Sequence, residues 1–236
     1  MPNPILVALD TTSTTDAVTL CKTLDGLVGG VKLGLEFFTA NGPDGVRAVA
    51  ETGQPLFLDL KFHDIPNTVA GAMRAVVPLR PAIVNVHASG GPAMMKAARE
   101  AAVEAAEAVG VPVPMIIAVT VLTSLDNADL AAVGQRNPAE AQAVRLAELA
   151  ENAKLDGVVC SPKEILAIRK ACSEDFKLVV PGIRPLWSAT GDQKRFSSPA
   201  AALKDGADYL VIGRPITAAP NPAEAATRIT EEIQGA

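Results

Sequence analysis

Residues 56–65, LFLDLKFHDI, set an acid, a base and a histidine into an otherwise apolar run. With a side-chain period of two, Leu56, Leu58, Leu60 and Phe62 fall on one face of a strand, and Phe57, Asp59, Lys61 and His63 on the other. Asp64 follows at the strand's end. Taken alone, the stretch fits an antiparallel strand with one wet face. It fits as well a strand covered on both sides, whose charges are partly buried for a purpose. The rest of the chain decides between the two.

Outward from this stretch, short runs rich in Val, Ile and Leu recur at ILVAL, GVKL, LFLDL, AIVNVH, PMIIAV, DGVVC, KLVV and YLVI. Between most of them lie segments of helical periodicity, such as Val69, Met73, Val76 and Val77, or Ile165, Ile168 and Cys172. Helix starts are punctuated by Asn137-Pro138-Ala139-Glu140, Ser161-Pro162-Lys163-Glu164 and Asn221-Pro222-Ala223-Glu224, each a capping side chain, a Pro and a Glu; Ser198-Pro199 repeats the first half. No low-complexity linker or composition shift divides the chain. Strand and helix alternating eight times predict one (β/α)8 TIM barrel over residues 1–236, because an open doubly wound sheet usually has fewer strands. In such a barrel, helices cover the outside of each strand and packed side chains fill the inside, so no wet face exists. Asp59 and Lys61 are then partly buried charges near the C-terminal end of strand three, costing several kcal/mol per ion unless they pair. That favours the functional reading.

Composition narrows the partners. Apolar residues make up 49% and charged ones 20%, which predicts a globular chain. Aromatics at 3% and a net charge of −5 speak against a nucleic-acid surface built on stacking or on a basic groove. A small anion held by local cations remains compatible with that balance. The start, MPNPILVALD, shows no basic leader, and no stretch reaches the roughly 18 apolar residues of a membrane span, so a cytoplasmic address is expected. Cys21, Cys160 and Cys172 form no CxxC pair and leave one unmatched; they read as small buried hydrophobes, not as a disulfide framework or zinc cluster.

The ends of the other strands supply further polar groups to the same mouth: Asp10 after strand one, Lys32 in strand two, His87 after strand four, Thr123 and Ser124 after strand five. Each has a plainer explanation. Asp10, with Thr11 and Thr12, can cap the next helix, and Lys32 can snorkel to solvent. His63 and His87 read as hydrogen-bonded structural groups sooner than as metal ligands. Convergence on one rim is what lifts Asp10 and Lys32 above those readings. The loop PGIRPLWSATGDQKRF, beginning at Pro181, carries Arg184, Gln193, Lys194 and Arg195 and is longer than such loops usually are, which predicts an active-site lid over about 182–196. After strand eight, Gly213 and Arg214 match the place where these barrels bind phosphate. No G-x-G-x-x-G or Walker loop is present.

Asp59-x-Lys61-x-x-Asp64, set in LDLKFHDIPNTV, resembles the signature of the orotidine 5′-monophosphate decarboxylase family, bacterial type. The likeness covers nearly the whole chain, from VALD at Asp10 and VKLG at Lys32 to V-x-V-L-T-S at Thr123 and Ser124, the PGIR loop and the closing Ile-Gly-Arg. Related magnesium-dependent phosphosugar decarboxylases and aldolases share DxKxxD; they typically have a metal-binding carboxylate where this chain has Lys32. The resemblance implies cofactor-free and metal-free conversion of orotidine 5′-monophosphate to uridine 5′-monophosphate in pyrimidine biosynthesis. It implies Lys61 as the residue that stabilises and protonates the C6 carbanion, Asp59 beside it, and Lys32 and Asp64 completing an alternating array. Asp10 and Lys32 would bind the ribose side, Thr123 and Ser124 the pyrimidine, and Gln193, Gly213 and Arg214 the phosphate, with Pro181 also binding substrate and Arg184 on the lid. It further implies an obligate homodimer in which Asp64, Ile65 and Thr68 act in the neighbouring subunit's site. The alternatives are a magnesium-dependent enzyme acting on a ketose phosphate and a barrel that only binds a nucleotide.

Overall fold

The computed structural model describes residues 3–188 and 197–235. All eight apolar runs form strands: β1 (Ile5–Ala8), β2 (Gly30–Leu33), β3 (Leu56–Phe62), β4 (Ile83–His87), β5 (Met115–Val119), β6 (Gly157–Val159), β7 (Lys177–Val180) and β8 (Tyr209–Ile212). They pair in parallel with their sequence neighbours, and β8 pairs with β1 to close the barrel. Helices α1 (Thr14–Thr23), α2 (Leu35–Ala50), α3 (Pro66–Val76), α4 (Pro92–Val109), α5 (Asn127–Ala132), α6 (Ala139–Asn152), α7 (Ile165–Ala171) and α8 (Pro199–Asp205) fill the connections, and α9 (Arg214–Thr217) and α10 (Pro222–Gln234) follow β8. Parallel neighbours cannot be joined by tight hairpins, so each crossover needs chain enough for a helix. Among the described residues, no helix is long and apolar enough to cross a membrane.

Strand parity sorts the barrel into two cores. Leu6, Ala8, Phe57, Ile83, Ile117, Val179 and Val211 form a small cluster inside the cylinder. Their neighbours of opposite parity, such as Val7, Leu58, Val84, Ile116 and Leu210, join a larger outer cluster with the buried helix faces. On α3 that face is Val69, Ala70, Met73 and Val76. Opposite it, α4 buries Met94, Met95, Ala98, Ala101, Ala102, Ala105 and Ala106, and the five alanines let two helices approach closely. Each fully buried Met, Ile or Leu contributes about 1.5–3 kcal/mol, and cutting Met73 back to Ala is expected to cost about 2–5 kcal/mol.

Most helix starts follow the sequence. Ser198 accepts a hydrogen bond from the Ala201 N–H and Asn221 from that of Glu224. The Ser161 and Glu164 pair forms a reciprocal capping box. One start differs: α6 begins at Ala139 with Pro138 as its cap, and the Ala139 N–H donates to Asn127 while Asn137 donates to Gln142. Asn137 lies one residue too early to cap. At α1 the cap is Ser13, not Asp10, Thr11 or Thr12, which leaves the Asp10 carboxylate for other use. Cys21 and Cys160 are buried, as expected, whereas Cys172 ends α7 only half-buried.

Two aspartates brace the end of the barrel opposite the mouth. Asp156, just before β6, accepts from the Ile116 N–H and from Arg99; Asp208, just before β8, accepts from the Leu178 N–H and pairs with Arg169 and Lys177. These carboxylates stitch neighbouring strands together where no side chain of the predicted site lies.

Candidate active site

The alternation that opens β3 does not run to its end. Phe57 pairs with Ile83 and Leu58 with Val84, but the next partners are Phe62 and Val86, so Asp59, Leu60 and Lys61 stand opposite Asn85 alone. Lys61 takes up the extra length with a left-handed backbone, φ 52°, a conformation that side chains other than glycine rarely adopt. Asn85 fills the gap. It is 0% exposed, its Oδ1 accepts from the Lys61 N–H at 2.8 Å, and its Nδ2 donates to Asp59 Oδ1 at 2.7 Å. Asp59 and Lys61 do meet, as simple strand spacing predicts, yet a bulge pinned by Asn85 brings them together and not a regular ladder.

Four charges alternate across the mouth. Asp10 lies 3.7 Å from Lys32 Nζ, Lys32 lies 3.2 Å from Asp59, and Asp59 lies 2.7 Å from Lys61 Nζ. Lys32 shares interior parity with Ala8 and Phe57, its register partners, so its ammonium is directed up the inside of the barrel and does not snorkel outward. Asp59 is 8% exposed. Burial pushes its carboxyl upward, but Lys32 and Lys61, with the hydrogen bonds from Lys61 and Asn85, outweigh that and hold it below the ordinary 3.8. An ionised Asp59 held between two cations is therefore the resting arrangement. His63 and His87 flank the same rim with ring centres 5.3 Å apart. Burial, then the neighbouring His63 and Lys61, pushes His87 below 6.5.

Beside this array opens a cavity of about 200 Å³ lined by Asp10, Lys32, Pro181, Arg184, Gly213 and Arg214 among others. Six of the residues singled out from the sequence thus converge on one hollow between β1, β2, β7 and β8. A larger hollow, about 880 Å³, lies at the opposite end of the barrel around Arg99, Asp156 and Lys177. Arg99, Asp156 and Lys177 there are occupied in the stitching described above, and none of the residues singled out from the sequence lines that hollow, so the smaller cavity is the better candidate. Thr123 and Ser124 lie in the turn after β5, half-buried and exposed respectively. Asp64, Ile65 and Thr68 are exposed where β3 gives way to α3; Asp64 accepts from the Ile65 N–H and stands apart from the four-charge chain within one subunit. Gln193, Lys194 and Arg195, with most of the predicted lid, lie outside the described residues.

Two contributors escaped the sequence reading. Asn85 was legible as a polar residue at interior parity in IVNVH, but its role depends on a bulge that periodicity does not reveal. Gly34, in VKLG, begins α2 where a Cβ would sit 3.2 Å from Lys32 Nζ, so any larger residue there presses on the ammonium.

Residues 3–229 match the model of the family described as orotidine 5′-phosphate decarboxylase / HUMPS family. The chain is 58% identical over 233 residues to the orotidine 5′-phosphate decarboxylase of Paramagnetospirillum magneticum, covering 99% of both chains. It is 58% identical over 234 residues to that of Rhodospirillum rubrum, covering 99% of this chain and 95% of the relative. The crystal structure of orotidine 5′-phosphate decarboxylase from Lactobacillus acidophilus superposes with a TM-score of 0.82 at 35% identity, covering 98% of this chain and 99% of that one. A closed parallel barrel, a charge chain on DxKxxD and near-full-length kinship agree: the chain belongs to the orotidine 5′-phosphate decarboxylase / HUMPS family.

Proposed function

We propose that this barrel decarboxylates orotidine 5′-monophosphate to uridine 5′-monophosphate and carbon dioxide, in pyrimidine nucleotide biosynthesis. The observation that carries the reading is the chain Asp10, Lys32, Asp59, Lys61 at the mouth, beside a cavity floored by Gly213 and Arg214. The reaction breaks the bond between C6 and the carboxylate carbon. Carbon dioxide departs and the electron pair stays on C6, where the pyrimidine offers no ready sink. Charge placed in advance must therefore lower the barrier. Lys61 supplies it: its ammonium faces the developing carbanion and then gives C6 a proton. The neutral amine left behind regains its proton from solvent. Asp59 keeps the ammonium charged and aimed, and its field opposes the substrate carboxylate in the ground state more than it opposes departing, neutral carbon dioxide. Lys32 holds Asp59 from the other side, so the acid stays ionised when Lys61 loses its charge.

In the same reading Asp10 and Lys32 take the ribose side, Thr123 and Ser124 the pyrimidine, and Gln193, Gly213 and Arg214 the phosphate, with Pro181 beside the substrate and Arg184 closing over it. The enzyme works as a homodimer in which Asp64, Ile65 and Thr68 complete the neighbouring site. Their exposure in one subunit supports this, Ile65 being 66% exposed. The compartment is the cytoplasm. The test mixes protein with orotidine 5′-monophosphate and follows ultraviolet absorbance. Wild type is expected to convert it, and Lys61→Ala to be inactive while still folded, because Asp59 keeps Lys32 as a partner. Full activity in Lys61→Ala would refute the assignment; an unfolded variant would point to a structural role for Lys61.

A further inference from the structure

The first part of the connection between β7 and α8 is fastened at two places. One is local: Ile183 bridges to Ser197, and the Arg184 N–H donates to the Ser197 carbonyl at 2.9 Å. The other reaches to the far end of the chain. Arg228 of α10 sits over the Trp187 ring, 4.5 Å from its centre, and the Leu186 backbone hydrogen-bonds to Glu232 of the same helix. Arg228 and Glu232 are four residues apart, so they present one face of α10 to consecutive residues of the connection. Trp187 in turn lines a hollow of about 260 Å³ against Asn221, Glu224 and Arg228. A surface loop seldom spends a tryptophan, a guanidinium and a carboxylate on one contact unless its placement matters. Arg184 belongs to the first fastening and stands two residues before the second, and it lines the mouth cavity.

We propose that Arg228 and Glu232 of α10 are positioning residues for substrate binding, acting through Trp187 and Leu186 on the segment that carries Arg184. The proposal rests on the reading of Arg184 as a substrate-binding residue. It assigns the last helix a part in binding that its distance from the charge chain hides. With the second fastening lost, the segment still folds on its Ser197 bridge, but Arg184 must be ordered by each incoming substrate. Affinity falls while the chemistry at Lys61 does not.

The experiment measures kcat and KM for orotidine 5′-monophosphate in wild type, Arg228→Ala, Arg228→Lys, Arg184→Ala and the Arg184→Ala/Arg228→Ala double variant, with melting temperatures alongside. Arg228→Ala is expected to raise KM about two- to fivefold, the scale of one cation–π contact made by an exposed guanidinium, with kcat nearly unchanged. Arg228→Lys keeps a cation over the ring and is expected to recover most of the loss. In the Arg184→Ala background the second substitution is expected to add nothing, because its effect runs through Arg184. If Arg228→Ala proves unstable, Trp187→Leu tests the same contact from the other side and is expected to raise KM alike. The proposal is overturned if KM rises in Arg184→Ala but not in Arg228→Ala or Trp187→Leu, or if the effects of Arg184→Ala and Arg228→Ala multiply. An unchanged KM in Arg184→Ala itself would instead remove the premise.

Discussion

Asn85→Ala is the substitution whose consequences follow most directly from the geometry. It removes the acceptor for the Lys61 N–H and the amide donor to Asp59, both inside the barrel. A buried N–H left without a partner costs about 1–3 kcal/mol, and a hydrogen bond to a charged group contributes about 1.5–3 kcal/mol, so the sum lies near 3–5 kcal/mol. Against a total stability of about 5–15 kcal/mol this is severe without being fatal. At about 2–4 °C per kcal/mol for a chain of this size, the melting temperature is expected to fall by about 6–20 °C. Activity is expected to suffer more than stability. The left-handed backbone at Lys61 persists because its surroundings enforce it, and without Asn85 the bulge relaxes and carries the ammonium away from Asp59. A displacement of about 1 Å costs on the order of a hundredfold in rate, so kcat is expected to drop by that much. Circular dichroism melts and steady-state assays on the same preparations check both numbers. A variant that melts within about 2 °C of wild type, equivalent to less than roughly 1 kcal/mol, would show that Asn85 does not hold the bulge.

Three further outcomes are expected. Asp208→Ala strips Arg169 and Lys177 of their carboxylate and the Leu178 N–H of its acceptor; it is expected to lose about 3–5 kcal/mol in a denaturant melt while kcat in the surviving folded protein stays near wild type, and a fall in kcat of tenfold would undo the separation of barrel ends. Because His87 sits below 6.5 in the folded chain, the unfolded chain binds its proton first, so stability declines as pH falls below 6.5 toward the lower folded value; Asp59, held below 3.8, adds a second loss with the same sign from 3.8 downward. In thermal melts across pH, the slope between pH 6.5 and 5 is expected to flatten in His87→Asn, and parallel curves for the two proteins would contradict it. Turnover is expected to be indifferent to EDTA; abolition by the chelator and restoration by magnesium would favour a ketose-phosphate enzyme instead.

The barrel was legible because its two signals are local. Runs such as IVNVH and MIIAV are too short and too apolar for surface strands, and caps such as Ser161 with Glu164 mark where helices start. The charged mouth was legible through parity: Lys32 and Asp59 fall on the inward side with Phe57 and Ile83 whatever the loops do. What was hidden depends on contacts between distant elements. Nothing in LDLKF announces that Lys61 adopts φ 52°, because the residue that permits it stands on the next strand. Nor does the sequence near Trp187 reveal Arg228, forty-one positions further on, as its partner. Asn137 shows a third limit, since a helix start shifted by one residue turns a capping side chain into a loop contact.

The position of strain in the barrel bears on how it works. At the closed end, Asp156 and Asp208 accept hydrogen bonds from strand N–H groups and pair with Arg or Lys, so each charge there strengthens the sheet. At the mouth, Asp59 and Lys61 interrupt the ladder between β3 and β4 and require a buried asparagine to make good the missing contacts. A sheet selected for stability alone would have continued the pairing of Leu58 with Val84 by one more apolar residue. The chain instead holds an ammonium at the rim, partly exposed and hydrogen-bonded to a carboxylate. Electrostatic catalysis needs that arrangement, because a charge free to reorganise when the carbanion forms would surrender much of its stabilising effect. Rigidity supplied by the closed cylinder is therefore what lets a costly bulge serve the chemistry, and it ties Asn85, which touches no substrate in this reading, to the rate.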